Sequence, residues 1–266
     1  MEPSIRPYLL KETNWKAVQE TTYEVAVLPW GATEAHNYHL PYGTDTYLAE
    51  AVAAEAARKT WEQGHKIIVL PALPFGVNTG QIEIPFCVNM NPSTQLMVLK
   101  DILFGLQHHK IRKLVIVNAH GGNHFKQMIR ELYEKFPDVF IATLNWWESA
   151  DRNEYFESPG DHADEMETSA MMHLFPELVL PLEEAGQGTS IPYKIEALRK
   201  GWVSTQRIWH LATVDTGVGD PKASTPLKGK KFFEVATEMI SGFLAELAAI
   251  DPDDIYLRDL TLAPST

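Results

Sequence analysis

Lys113-Leu114-Val115-Ile116-Val117 runs directly into Asn118-Ala119-His120-Gly121-Gly122-Asn123-His124, and the reading of this junction decides the fold. A continuous apolar run this short, closed by a polar turn, reads as a strand buried on both faces. Beyond the turn, Met128, Ile129, Leu132 and Phe136 recur near helical spacing. The unit is therefore strand, turn, helix. The same rhythm extends outward. Residues 25–29 form an apolar run, and 46–59 are Ala-rich with Leu48, Val52 and Ala56 on one face. Residues 66–70 form a second strand, followed by a Pro-rich loop. Pro92-Ser93-Thr94 then opens a helix bearing Leu96, Leu99, Ile102, Leu103 and Leu106, and 139–144 form a fourth strand. Continuous apolar strands alternating with helices predict one α/β domain over residues 1–266. Its sheet should be largely parallel and flanked by helices on both faces. A helix is expected over 164–174. Residues 181–231, rich in Gly and Pro, read as irregular with a hairpin near 202–213, and 232–250 as a last amphipathic helix.

The 266-residue chain is long enough to bury its own core without staples. A net charge of -12, with basic groupings no denser than Lys110-Ile111-Arg112-Lys113 and Lys228-Gly229-Lys230-Lys231, repels phosphate backbones and excludes nucleic acid as a partner. The single cysteine, Cys87, rules out an internal disulfide and fits a reducing cytoplasm. Residues 1–7 hold no apolar core of signal-peptide length. The apolar stretch 67–75 is too short and too broken by proline to span a bilayer, so no membrane partner is expected.

Ligands of open parallel sheets bind beyond the carboxyl ends of the strands. The residues with metal-ligand chemistry cluster at those ends. After the first strand comes Gly31-Ala32-Thr33-Glu34-Ala35-His36-Asn37-Tyr38-His39-Leu40-Pro41-Tyr42-Gly43-Thr44-Asp45. Glu34 and His36, two apart, share a face if the backbone is extended. Gly43-Thr44 can turn Asp45 back toward them. After the third strand comes His120, with two glycines that permit close approach of the backbone. Two carboxylates and two imidazoles suit Zn²⁺ or a similar divalent ion. Read singly, each residue also has a structural role: hydrogen-bonded histidines, Asp45 as a helix N-cap, Gly121-Gly122 as a turn. Spacing alone leaves both readings open.

The motifs carry a resemblance. Gly31-Ala-Thr-Glu-Ala-His36 with His39-Leu-Pro-Tyr-Gly-Thr-Asp45 resembles the opening signature of the creatininase (creatinine amidohydrolase) family. The match continues at Asn118-Ala-His-Gly-Gly-Asn123 and at His162 with Glu167-Thr168-Ser169. It ends at Thr216-Gly-Val-Gly-Asp-Pro221 with Lys228-Gly229. The resemblance implies a two-metal amidohydrolase, usually a hexamer, that opens cyclic or simple amides with a metal-activated water. Carried over, Glu34 and His120 would bind one ion, His36 the other, and Asp45 would bridge them. His162 would face the scissile bond. In creatininases proper, a Tyr that contacts substrate and a Glu that binds metal follow the motif histidine. Here Gly121 and Gly122 stand at those positions. The second ion would then need another acid, and Glu167 is the candidate. Gly121 stays on the substrate side, and Asn78 falls near the family's creatinine-contacting Ser. No Trp-Asp pair precedes His162, where the chain reads Glu157-Ser158-Pro159-Gly160-Asp161. These departures bear on creatinine as substrate, not on the hydrolytic centre. Other family branches with this His-Gly-Gly-Asn motif resemble formamide hydrolases and peptide-trimming enzymes.

Around this set, His39 reads as orienting its loop, and His124 as a cap of the next helix or a site residue. His108-His109 sits at a helix end, where positive charge suits the dipole. Trp147 reads as a packing residue or a pocket wall. Cys87 has no activating pattern. The donors accept Zn²⁺, Mn²⁺ or Fe²⁺, with Zn²⁺ first. The expected partners are a small amide substrate and further copies of the chain in a homo-oligomer, a hexamer by resemblance. Two other functions compete: a non-catalytic metal-binding member of the family and a metal-dependent phosphoesterase, the latter disfavoured by the scarcity of Lys and Arg in the motifs.

Overall fold

A computed structural model describes residues 5–158 and 160–257. Pro159 of the Glu157–Asp161 stretch and residues 1–4 lie outside them. Four strands, β1 (Val25–Trp30), β2 (Ile67–Val69), β3 (Lys113–Asn118) and β4 (Phe140–Asn145), form one parallel sheet in the order β2-β1-β3-β4. Eight helices accompany them in chain order among the described residues: α1 (Trp15–Gln19), α2 (Thr44–Glu62), α3 (Pro92–His108), α4 (Phe125–Tyr133), α5 (Glu165–Leu174), α6 (Glu196–Arg199), α7 (Trp209–Ala212) and α8 (Pro226–Ala249).

Strand side chains alternate between the two faces, and each face has its own buried cluster. Val25, Val27, Val115 and Val117 pack with Leu48, Val52 and Ala56 of α2, Met166 and Ala170 of α5, and Phe232, Ala236, Ile240 and Leu244 of α8. Ala26, Leu28, Trp30, Leu114 and Ile116 pack with Leu99, Leu103 and Leu106 of α3 and Phe125, Met128 and Leu132 of α4. This double burial explains why the strands read as unbroken apolar runs. The expected single α/β domain with helices on both faces is the observed architecture.

Three strands end in line: Trp30 is opposite Asn118, and Asn118 is opposite Asn145. The Asn118 amide nitrogen donates to Asn145 Oδ1 and to the His120 carbonyl, while its oxygen accepts from the Asn123 amide. Together with the Asn123 amide nitrogen donating to the Gly31 carbonyl at 3.4 Å, these bonds hold the loops after β1, β3 and β4 at one end of the sheet.

Three local expectations are corrected. No hairpin forms over 202–213; α7 occupies part of that segment, and Ser190 bridges antiparallel to Thr213. The last helix starts at Pro226, six residues before the expected position, because the Thr225 side chain caps it and Pro226 fits the first turn. Asp45 is not an N-cap. The helix begins at Thr44 after Gly43, and the Asp45 carboxylate turns to His36 instead.

Helices α5 and α8 cross at Gly229, where an added Cβ would lie 1.9 Å from the Ser169 carbonyl oxygen. Gly242, on the same helix, has open space around that position. Gly229→Ala should therefore lower stability by about 1–3 kcal/mol in urea denaturation. Gly242→Ala should raise it by roughly 0.5–1 kcal/mol. Equal effects at the two positions would refute the close crossing.

Candidate metal centre

Six titratable side chains meet at the aligned strand ends: Glu34, His36, Asp45, His120, His162 and Glu167, all buried. The loop after β1 supplies Glu34 and His36, and the first turn of α2 supplies Asp45. His120 comes from the turn after β3. Glu167 comes from the first turn of α5, a helix capped by Asp164 through Met166 N–H and Glu167 N–H. His162 is pinned by an antiparallel pairing with Val218, His162 N–H to Val218 O at 3.2 Å and Val218 N–H to His162 O at 2.8 Å. The Thr216–Pro221 motif thus acts as a backbone clamp. Lys228 serves a similar end: its ammonium binds Glu157 and the buried Glu165, whose carboxylate accepts from the Glu157 and Ser158 amides.

Each imidazole is oriented by a main-chain carbonyl. His36 Nδ1 lies 3.1 Å from Glu34 O, His120 Nε2 3.1 Å from Val77 O, and His162 Nε2 2.8 Å from Ala35 O. A carbonyl only accepts, so these nitrogens carry the protons. The opposite nitrogens then face the carboxylates. His36 Nε2 is 3.0 Å from Asp45 Oδ1. His120 Nδ1 is 2.8 Å from Glu34 Oε1 and 3.1 Å from Asp45 Oδ2, an oxygen with no hydrogen bond of its own. His162 Nδ1 is 3.7 Å from Glu34 Oε1. Lone pair facing lone pair in a buried site requires a cation between them. This donor chemistry fits a divalent metal.

The electrostatics carry the same message. Burial works to lower the His36 imidazole, but Asp45, Glu167 and Glu34 overcome it and raise it to about 10. Burial likewise opposes the charge on His120, yet Glu34 and Asp45 hold it well above its ordinary value. Burial would raise the Asp45 carboxyl, but His36 and His120 keep it far below the usual range. Glu167 is pushed up to about 8, by burial and then by Asp45 and Asp164, against the pull of His36. His162 is lowered, by burial and by the neighbouring His36. Protons here stand where a metal would place its charge.

Ligand atoms of Glu34, Asp45 and His120 lie within 4.8 Å of one another, as do those of His36, Asp45 and Glu167, and those of Glu34, His36 and His162. Asp45 is common to the first two sets. Position 122 has no room for an acid: a Cβ on Gly122 would lie 2.4 Å from both His120 Nε2 and Val77 O.

A cavity of about 500 Å³ opens onto Glu34, Asp45, His120, His162 and Glu167. Gly121 and Trp147 are on its wall; Asn78 is not. The Asn78 amide nitrogen instead donates to the carbonyls of Thr33 and Val88. His39 bonds the Thr168 hydroxyl at 2.9 Å and ties its loop to α5. His124 occupies the N-cap position of α4 without a side-chain cap bond. Several contributors escaped sequence reasoning. Gln81 is buried and donates to Glu34 Oε2, while Cys87 Sγ donates to Gln81 Oε1 at 3.2 Å. Trp209 sets its ring edge-on to His162, centroids 4.7 Å apart, and Arg207 lies over Trp209. Arg152 and Tyr193 also line the cavity. No helix among the described residues is long and apolar enough to cross a membrane.

Fold and donor set define an α/β protein with a centre suited to divalent metal. Residues 11–244 match the family model described as creatininase, creatinine amidohydrolase, and the chain belongs to that family. A crystal structure of a candidate creatinine amidohydrolase from Bacteroides fragilis NCTC 9343 is 43% identical, with a TM-score of 0.89, covering 97% of this chain and 100% of that one. The mycofactocin precursor peptide peptidase of Mycobacterium tuberculosis is 29% identical over 219 residues, 78% of this chain and 79% of the relative. A manganese form of a creatininase shares the fold at 23% identity, with a TM-score of 0.74 over 92% of this chain and 100% of its own.

The cluster predicts how metal and pH act together. In the metal-free protein, His36 titrates at about 10 against an ordinary 6.5. The stability gained from its proton is complete below about pH 6.5 and is lost as pH rises through about 10. Glu167, raised from 4.5 to about 8, acts in the same direction: its gain is complete below the lower value and lost through the higher. Chelator-treated protein should therefore lose melting temperature as pH rises. Added Mn²⁺ or Zn²⁺ should restore more at about pH 8.5 than at about pH 6. Calorimetric scans showing the same metal effect at both values would contradict this.

Proposed function

We propose that the chain is a metal-dependent hydrolase of a carbon–nitrogen bond in a small amide, a cyclic amide or formamide included, working in a reducing cytoplasm. The observation that carries this is the set of three buried imidazoles, each tied to a carbonyl through one nitrogen and aimed at a carboxylate with the other. Glu34, Asp45 and His120 would hold one divalent ion, and His36, Asp45 and Glu167 a second, with Asp45 shared. Zn²⁺ suits the donors first, then Mn²⁺ or Fe²⁺. When bound, such a pair acidifies water and polarises the substrate carbonyl.

The chain's own residues do the remainder. His162 keeps Nε2–H on the Ala35 carbonyl and leaves Nδ1 free beside the cavity. That nitrogen takes the proton lost when the water oxygen bonds to the carbonyl carbon. It then gives the proton to the leaving nitrogen as the carbon–nitrogen bond breaks. The lowered basicity of His162 keeps it neutral and ready to accept near pH 7. Trp209 shields this imidazole from bulk water, and Gln81 fixes the far oxygen of Glu34. Gly121 and Trp147 would bound the substrate. Asn78, with its nitrogen committed to Thr33 and Val88, would act through the loop walls.

Two variants separate the roles. Glu167→Gln should lose one metal equivalent per chain by elemental analysis. His162→Ala should keep both metals and lose turnover by about 10²–10⁴-fold on amides cleaved by the wild type. Full metal content in the first variant, or metal loss in the second, would reassign the ligands.

We also propose a homo-oligomer, hexameric as in the family. Phe86, Trp202 and Val214 are 88%, 74% and 80% exposed, and apolar residues so placed fit burial against further copies. Sedimentation at micromolar concentration should show a species several times the 30.0 kDa chain mass; a monomer would refute it.

A further inference from the structure

The cavity beside the centre holds two guanidinium groups that no metal-binding role uses. Arg207 is already satisfied: its Nη1 and Nη2 bind the two oxygens of Asp161 at 3.1 and 2.6 Å, and its plane rests over Trp209. Arg152 differs. It lies just past β4, half-buried, in the turn after Asp151. Its guanidinium makes one hydrogen bond among the described residues, Nη1 to the Gly160 carbonyl at 3.3 Å, and no carboxylate there pairs with it within 4.0 Å. Asp164 is electrostatically close, but its oxygens are spent on the amides of Gly160, Met166 and Glu167.

A guanidinium offers five donors in a planar fork matched to a carboxylate. One partly buried beside a reactive centre, with most of those donors free, is a receptor awaiting an anion. The charge balance agrees. Two divalent ions would offset the four carboxylates of Glu34, Asp45, Glu167 and Asp164, Asp161 and Arg207 cancel, and the charge of Arg152 is left over. The loaded cavity then favours an anionic ligand. Its volume of about 500 Å³ and its aromatic walls, Trp147, Tyr193 and Trp209, fit a small amide with an apolar part. A single free guanidinium suits a monoanion better than a phosphate dianion.

We propose that Arg152 binds a free carboxylate on the substrate, so that the site takes amides bearing a carboxylate: N-acyl amino acids or the C-terminal residue of a short peptide. This rests on the hydrolytic reading of the centre. Arg152 makes the orientation: with the carboxylate held there, the amide one residue away turns toward Glu34, Asp45 and His162.

The test compares hippurate with its neutral amide, hippuramide, by calorimetric titration into the metal-loaded protein. Hippurate should bind about 10-fold or more tightly, the worth of a charge-assisted pair. Arg152→Gln should erase the difference at unchanged metal content and melting temperature, and Arg152→Lys should keep part of it. The proposal is overturned if the wild type does not discriminate, if neither compound binds, or if the Gln variant still discriminates, since a metal would then hold the carboxylate. Phenyl phosphate displacing hippurate at lower concentration would also overturn it. Turnover is read separately on the same samples with a panel of amides. Discrimination through Arg152 without any cleavage would leave the anion site standing and remove the hydrolytic reading.

Discussion

The structure depends on one constraint: carboxylates and imidazoles buried together must have a cation between them. Each histidine of the centre gives one N–H to a carbonyl, so its other nitrogen cannot donate unless it takes a second proton. Glu34, Asp45 and Glu167 are all within reach of those nitrogens and away from bulk water. An uncompensated buried charge costs several kcal/mol by order of magnitude. In the metal-free protein the protons on His36 and His120 supply that cation. The asparagine ladder at the strand ends, the Val218 clamp on His162 and the Lys228 tether on Glu165 all hold this arrangement in place.

The same constraint explains how the centre differs from the signature it resembles. Position 122 has no room for a side chain because the His120 ring and the Val77 carbonyl fill the space. An acid there would push His120 off its carbonyl. The third carboxylate of the cluster, Glu167, stands on α5, whose first turn is fixed by Asp164 and which crosses α8 at Gly229. Packing away from the centre thus sets where this buried carboxylate stands.

Much of this was legible in the sequence. The strands were, because double burial leaves no polar residue to break the runs at 25–29 and 113–117. That Glu34, His36, Asp45 and His120 come together was also legible, from the strand ends and the motif resemblance, although spacing alone left their roles open. What escaped was set by contacts between distant segments. The start of α8 was hidden because Pro226 and Gly229 read as loop residues, and only the Ser169 carbonyl shows why a glycine belongs there. Asp45 reads as a cap from its neighbours in sequence, but the helix begins one residue before it and its carboxylate meets His36. Gln81, Arg152 and Trp209 belong to no local pattern. Their place at the cavity follows from loops that return to it from elsewhere. Asn78, placed by resemblance on the substrate side, has its amide nitrogen turned to the loop backbone.

The measurement that bears most directly on the central claim is anomalous diffraction from crystals grown with Zn²⁺, with data on both sides of the zinc absorption edge. Two peaks per chain are expected, about 3.5–4 Å apart. One should lie among Glu34, Asp45 and His120 and the other among His36, Asp45 and Glu167, with Asp45 touching both. The absence of anomalous density there would contradict it, and so would a single ion held by Glu34, His36 and His162 with Glu167 uninvolved.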